Sequence, residues 1–205
     1  MYRDHARVSL GFAGEKVHAG AHICQIYSDY EECVESLLRF TLSGLQAGER
    51  ITCFSEKIDE GKLGIFLSGE NIAYTDFRKK NHVVLAGTGE VYLQDGRFDP
   101  DRMLDRLSAY YRESVEMGFP AARVIGEMIP EVQSVPGGDR LLEYESRVSM
   151  LLRDHPVTAV CQYDANEFDG ATIMDVLKVH PQMIIGGSII HNPFYIKPEE
   201  FLRRS

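Results

Sequence analysis

Positive charge is scarce in this 205-residue sequence, where 22 Lys and Arg stand against 31 Asp and Glu for a formal net charge of −9. General nucleic-acid affinity comes from clustered cations that neutralise phosphates, so a DNA or RNA binder is a poor fit. Long apolar runs are missing as well. Stretches such as residues 183–190 fall far short of the ~20 residues that a bilayer span needs. The first 20 residues carry charges throughout, unlike a secretory signal with its apolar centre. Together these absences predict a cytoplasmic protein with no membrane partner. The four cysteines, Cys24, Cys33, Cys53 and Cys161, form no CxxC pair and no zinc-finger spacing, and in that compartment they are expected as thiols. Catalytic signatures are lacking too: there is no GxSxG, no HExxH and no Ser/His/Asp arrangement, so no catalytic residue is assigned and the chain is not read as an enzyme.

What the sequence does contain is a core. With 44% hydrophobic residues, a chain of this length can bury roughly 70% of its unfolded surface without disulfide or metal staples. Residues 1–20 are polar and interrupted by glycines, and read as an N-terminal arm; residues 21–205 read as one domain. From residue 22 onward, short apolar runs alternate with segments of helical period, the signature of βα units around a parallel sheet. Strands are expected at 22–27, 50–54, 82–86, 90–93, 122–128, 157–163 and 183–190. Helices follow most of them, with Asp29, Asp99 and Asp169 as N-caps and Pro100 in a first helical turn. The expected fold class is α/β, three-layered, with a mainly parallel sheet and helices on both faces.

In such a sheet, ligands collect beyond the carboxyl ends of the strands. That rule selects Tyr27, Ser28, Glu127, Met128, Tyr163 and Asp164. A phosphate-binding loop would need glycines and a lysine after the first strand. The turn there is Tyr27-Ser28-Asp29-Tyr30-Glu31, with neither, so no nucleoside triphosphate is expected as cofactor. His22 and Cys24 lie two residues apart and share one strand face, as do Cys161 and Tyr163. Were those strands neighbours, the His, the thiols and the phenol could meet around a small polar ligand, a metal or a haem; simple packing of Cys24 and Cys161 is the competing reading. Glu127, in an apolar strand, must be paired, protonated or facing a cavity, with Arg123 or Arg140 as candidate partners. His180 precedes a proline at a helix end, where it is either a cap or a ligand contact.

Taken in order, several segments resemble a known family. They are His22-Ile23-Cys24-Gln25-Ile26-Tyr27, the FTLSGLQAGER run of residues 40–50, Gly126-Glu127-Met128, Leu142-Glu143-Tyr144-Glu145, Cys161-Gln162-Tyr163-Asp164, His180-Pro181 and Asn192-Pro193-Phe194-Tyr195. This set is similar to the MEDS domain, the methanogen/methylotroph sensory domain of prokaryotic signalling proteins, over about residues 20–202. The resemblance implies a RecA-like fold that has lost its phosphate loop and senses small molecules, with simple hydrocarbon derivatives as proposed ligands. It maps the family's ligand-contacting His and Cys onto His22 and Cys24. Relatives often carry a kinase or helix-turn-helix output module. This chain leaves no room for one, so the expectation is a stand-alone sensor that signals through a protein partner, a kinase or transcription regulator, or through self-association. Two alternatives stand beside it: residual nucleotide binding or phosphotransfer of RecA-like descent, and a ligand-free regulatory scaffold.

Overall fold

The computed structural model describes residues 6–204. In chain order its regular elements are β1 (Arg7–Ser9), β2 (Lys16–His18), β3 (His22–Tyr27), α1 (Tyr30–Gln46), β4 (Arg50–Phe54), α2 (Glu60–Gly69), α3 (Tyr74–Arg78), β5 (Val83–Ala86), α4 (Thr88–Tyr92), α5 (Pro100–Glu116), β6 (Ala122–Glu127), α6 (Leu141–Asp154), β7 (Val157–Asp164), α7 (Gly170–Val179), β8 (Gln182–Ile185), β9 (Ser188–His191) and α8 (Pro198–Arg204). Seven strands form one sheet in the order β5-β4-β6-β7-β3-β8-β9. Neighbours are parallel except β9, which runs antiparallel to β8 at the edge.

Alternation along the strands divides the core in two. Ile23, Tyr27, Ile51, Ile125 and Val160 face α1 and α2, whereas Cys24, Val124, Ala159 and Tyr163 face α5, α6 and α7. Every residue of β6 is buried, as expected of a central parallel strand covered on both faces. The expected caps are in place: Asp29, Asp99 and Asp169 each accept a hydrogen bond from a first-turn N–H of α1, α5 and α7, each worth about 1 kcal/mol.

The structure differs from expectation in three places. Residues 90–93 are not a strand: Tyr92 ends α4 and packs edge-on against Phe54 at 6.2 Å, so tertiary contact overrides the β-propensity of Val91 and Tyr92. The run 183–190 is a hairpin rather than one strand, turning at Gly186 and Gly187, whose φ values of 54° and 75° suit a two-residue turn of left-handed residues. The segment read as an arm carries β1 and β2, and Val8, Leu10 and Val17 are buried in the α1-side core. Arg123 fastens it, donating to Ser9 O at 2.9 Å while its Nε binds Glu49 at 2.5 Å. Gly44 leaves the space for that guanidinium stem, since a Cβ there would lie 2.9 Å from Arg123 Cδ.

Candidate functional site

Glu145 sits on α6 four residues after Leu141 and three before Val148, so helical period turns it inward with the apolar stripe. It is fully buried, and its carboxylate collects polar groups from β3, β7 and the end of α7. Tyr163 donates to Oε1 at 2.6 Å. His22 Nε2 lies 3.3 Å and His180 Nε2 3.5 Å from Oε2, and Cys161 Sγ lies 3.6 Å from it. Cys161 Sγ is in turn 3.5 Å from His22 Nε2, and the two imidazole centroids are 4.3 Å apart.

The outer nitrogens of both rings are anchored. His180 Nδ1 donates to Val176 O at 2.9 Å, and His22 Nδ1 meets Ser149 Oγ at 2.8 Å while that hydroxyl donates to Val179 O at 3.4 Å. A carbonyl can only accept, so His180 carries its proton on Nδ1, and the same reasoning applies to His22 through the committed Ser149 hydroxyl. In the neutral rings both Nε2 lone pairs therefore point inward. Burial, and then the neighbouring His180, push His22 down to about 4 against the pull of Glu145. Burial raises the Glu145 carboxyl, and only the charged, doubly protonated forms of His180 and His22 beside it more than offset this and bring it below its ordinary range. Burial, and then the Glu145 charge, keep the Cys161 thiol well above its ordinary value.

Cys161 also lines a cavity of about 250 Å³ between the sheet and helices α5 and α6. Its walls are largely apolar, with Phe54, Tyr92, Leu107 and Val148 among them, and Arg50, Arg106 and Glu113 also line it. Arg50 bonds to Glu113 and Ser114 through Nη1 and stacks over Tyr110, while its buried Nε has no partner. Gly126 is part of the lining, and a Cβ there would lie 2.6 Å from the Tyr92 hydroxyl.

A second polar cluster lies on the other side of the sheet, at the carboxyl ends of β3, β4 and β6. Glu127 accepts from Tyr27 OH and Ser55 Oγ, both at 2.9 Å, and is ion-paired with Lys57. Lys57 Nζ also donates to Tyr27 OH at 2.9 Å.

The sequence-selected residues thus separate into two groups. His22, Cys161, Tyr163 and His180 converge around Glu145, part-way along the sheet face rather than beyond its carboxyl edge. Tyr27 and Glu127 belong to the opposite face, and Met128 is packed in the α5/α6 core. Asp164 accepts from Asn166 in the turn after β7. Cys24 is aligned with Cys161 in register, but its thiol turns to Gln182 O at 3.7 Å, and burial followed by Glu145 pushes it up to about 12. Neither arginine expected beside Glu127 pairs with it. Arg123 lies four residues back, roughly 13 Å along the strand, and binds Glu49; Arg140 binds Glu143 at the start of α6. The turn after β3 is tied to the turn after β7, with Tyr27 O and Ser28 O accepting from Ala165 N and Asn166 Nδ2. Sequence reasoning gave no site role to Glu145, which entered only within a family motif, nor to Lys57 and Ser149. An acid within the stripe Leu141, Tyr144, Val148 was the available signal for the first.

This topology, a mainly parallel sheet flanked by helices on both faces, makes the chain an α/β protein with the fold of RecA-like structures. Solved structures share it: the flagellar accessory protein FlaH from Methanocaldococcus jannaschii superposes with a TM-score of 0.62 at 12% identity, covering 90% of this chain and 84% of that one. A KaiC-like protein from Pyrococcus horikoshii OT3 gives 0.60 at 12% identity, covering 87% and 79%. The chain belongs to the family described as "MEDS: MEthanogen/methylotroph, DcmR Sensory domain", whose pattern matches residues 21–181. It is also 25% identical over 169 residues to the transcriptional repressor DcmR of Methylorubrum extorquens; the match takes in 82% of this chain and 61% of that protein's length. No helix among the described residues is long and apolar enough to cross a membrane.

Proposed function

We propose that this chain is a non-enzymatic sensor module in which a small, mainly apolar molecule occupies the cavity beneath α5 and α6, and occupancy is relayed to a signalling protein such as a kinase or transcription regulator. The observation that carries the reading is the void of about 250 Å³ in a MEDS-family chain, apolar in most of its walls, with Arg50 and Thr52 in its lining each holding a buried polar atom, Nε and Oγ1, that has no hydrogen-bond partner. A pocket of that kind favours a compact organic molecule with a polar end, because apolar contact supplies affinity and a few polar groups supply orientation. Sensory-family membership and the repressor relative support the regulatory part. Nucleotide binding draws on the fold alone, and the acidic turn at Asp29, Glu31 and Glu32 opposes it.

A thermal-shift screen of the full chain against small alcohols, halocarbons, carboxylic acids and nucleotides tests this. A ligand of the first three classes should raise the melting temperature of the wild type and leave Ala159→Leu, which builds into the cavity, unshifted. Equal stabilisation of both proteins, or a response to nucleotides alone, overturns the reading.

A further inference from the structure

The group around Glu145 has the composition and spacing of a metal centre. His22 Nε2, His180 Nε2, Cys161 Sγ and a Glu145 carboxylate oxygen all lie within 4.8 Å of one another. Four of their separations are 3.3, 3.5, 3.5 and 3.6 Å. Tetrahedral zinc with bonds of about 2.0–2.3 Å places its ligand atoms roughly 3.3–3.8 Å apart, which is the same range. Four of the six separations thus already match such a shell, and the other two, from His180 Nε2 to His22 Nε2 and to Cys161 Sγ, lie within 4.8 Å.

Hydrogen-bond bookkeeping points the same way. Both outer nitrogens are anchored, by Val176 O and by Ser149, so in the neutral rings two lone pairs face a carboxylate oxygen and a sulfur. His180 Nε2 is fully buried and makes no hydrogen bond, and such an orphaned atom is costly unless something completes it. A single shared proton would satisfy one of the two nitrogens. A dication satisfies all four atoms, and with one carboxylate and one thiolate the buried centre is neutral overall. The anchors are those that outer-shell groups of metal sites provide: a carbonyl fixing the His180 ring, a hydroxyl fixing the His22 ring, and Tyr163 OH fixing the carboxylate. The ion itself reverses the local preference of the thiol, because a coordinating thiol gives up its proton.

We propose that His22, Glu145, Cys161 and His180 bind one borderline-soft divalent cation of the zinc class, whatever molecule the neighbouring cavity takes. Mixed nitrogen, sulfur and oxygen ligands suit such an ion better than calcium or magnesium, which take oxygen. A shell this small holds an ion, not a macrocycle, so haem is not the group it fits. Cys24 is excluded from the shell, since its thiol is turned to Gln182 O.

The test is titration of the chelator-stripped full chain with Zn²⁺ and Co²⁺, read by elemental analysis after dialysis and by the absorption of the cobalt form. One equivalent per chain is expected, with tetrahedral cobalt bands and a thiolate-to-cobalt transition. Cys161→Ser should lose the thiolate transition and Glu145→Gln should fall to less than a tenth of an equivalent, while Cys24→Ser keeps the full equivalent and spectrum. Circular dichroism of each apo variant separates loss of the site from loss of the fold. Failure of folded wild type to retain metal, or a cobalt–thiolate band that survives Cys161→Ser, overturns the proposal.

Discussion

Glu127, at the end of β6, and Glu145, on α6, are both buried glutamates, on opposite faces of the same sheet, and their charges are answered in different ways. Glu127 has a lysine, a phenol and a serine hydroxyl, so its charge and its lone pairs are met within the chain. Glu145 has a phenol, a thiol and two imidazoles whose free nitrogens point toward it; among the described residues no Lys or Arg pairs with it. A closed cluster of the first kind stabilises one conformation and has little left to offer a ligand. The second kind remains short of positive charge in a dry site, and that shortage separates a binding centre from a structural one.

The largest expected effect comes from opening the closed cluster. Lys57→Met leaves Glu127 buried with two hydroxyl donors and no cation, and removing one partner of a buried pair costs about 3–5 kcal/mol. Urea denaturation should show this as a lower midpoint at unchanged slope. The double variant Lys57→Met/Glu127→Leu, which removes the charge together with its partner, should recover most of the loss. A single-variant cost below about 1 kcal/mol would place the two clusters on the same footing.

Much of the fold could be read from short-range patterns, because strand alternation, helical stripes and Asp caps are local. Strand neighbours were not local, and the site depends on them. His22 meets Cys161 because β3 pairs with β7, and Glu127 finds Lys57 across a separation of 70 residues, in the loop after β4. Conversely, Arg123 seemed a partner for Glu127 only while the strand's length was ignored. Glu145 carried a legible signal, an acid inside an apolar helical stripe, and its meaning needed the two imidazoles that β3 and the end of α7 deliver to it. The hairpin at Gly186 and Gly187 was concealed by the hydrophobic residues on either side, although paired glycines are themselves the turn chemistry.

A smaller effect sharpens the comparison through matched phenol deletions. Tyr163→Phe removes the 2.6 Å hydrogen bond that holds Glu145 Oε1, and a bond to a buried charge is worth about 1.5–3 kcal/mol. Tyr27→Phe removes a 2.9 Å bond from Glu127, which keeps Lys57 and Ser55, so its cost should stay near 1 kcal/mol. Both are measured by denaturation in chelator. Equal losses would mean that the Glu145 cluster is as well compensated as its counterpart.

The smallest expected effect is the most discriminating. Glu145→Gln keeps shape and an Oε1 acceptor for Tyr163, while its new amide N–H groups face the imidazole Nε2 lone pairs that the carboxylate opposed. In chelator the exchange should therefore change stability by no more than about 1 kcal/mol, since one favourable charge-assisted bond is traded for relief of lone-pair repulsion. In Zn²⁺ the two proteins should part, because a ligand that binds only the folded state stabilises it by RT ln(1 + [L]/Kd), about 2.7 kcal/mol at a hundredfold excess over Kd. Denaturation midpoints of wild type and Glu145→Gln, each with chelator and with Zn²⁺, measure both halves. A carboxylate that served only to hold the fold together would give the opposite pattern, a large loss in chelator and no further divergence with the ion.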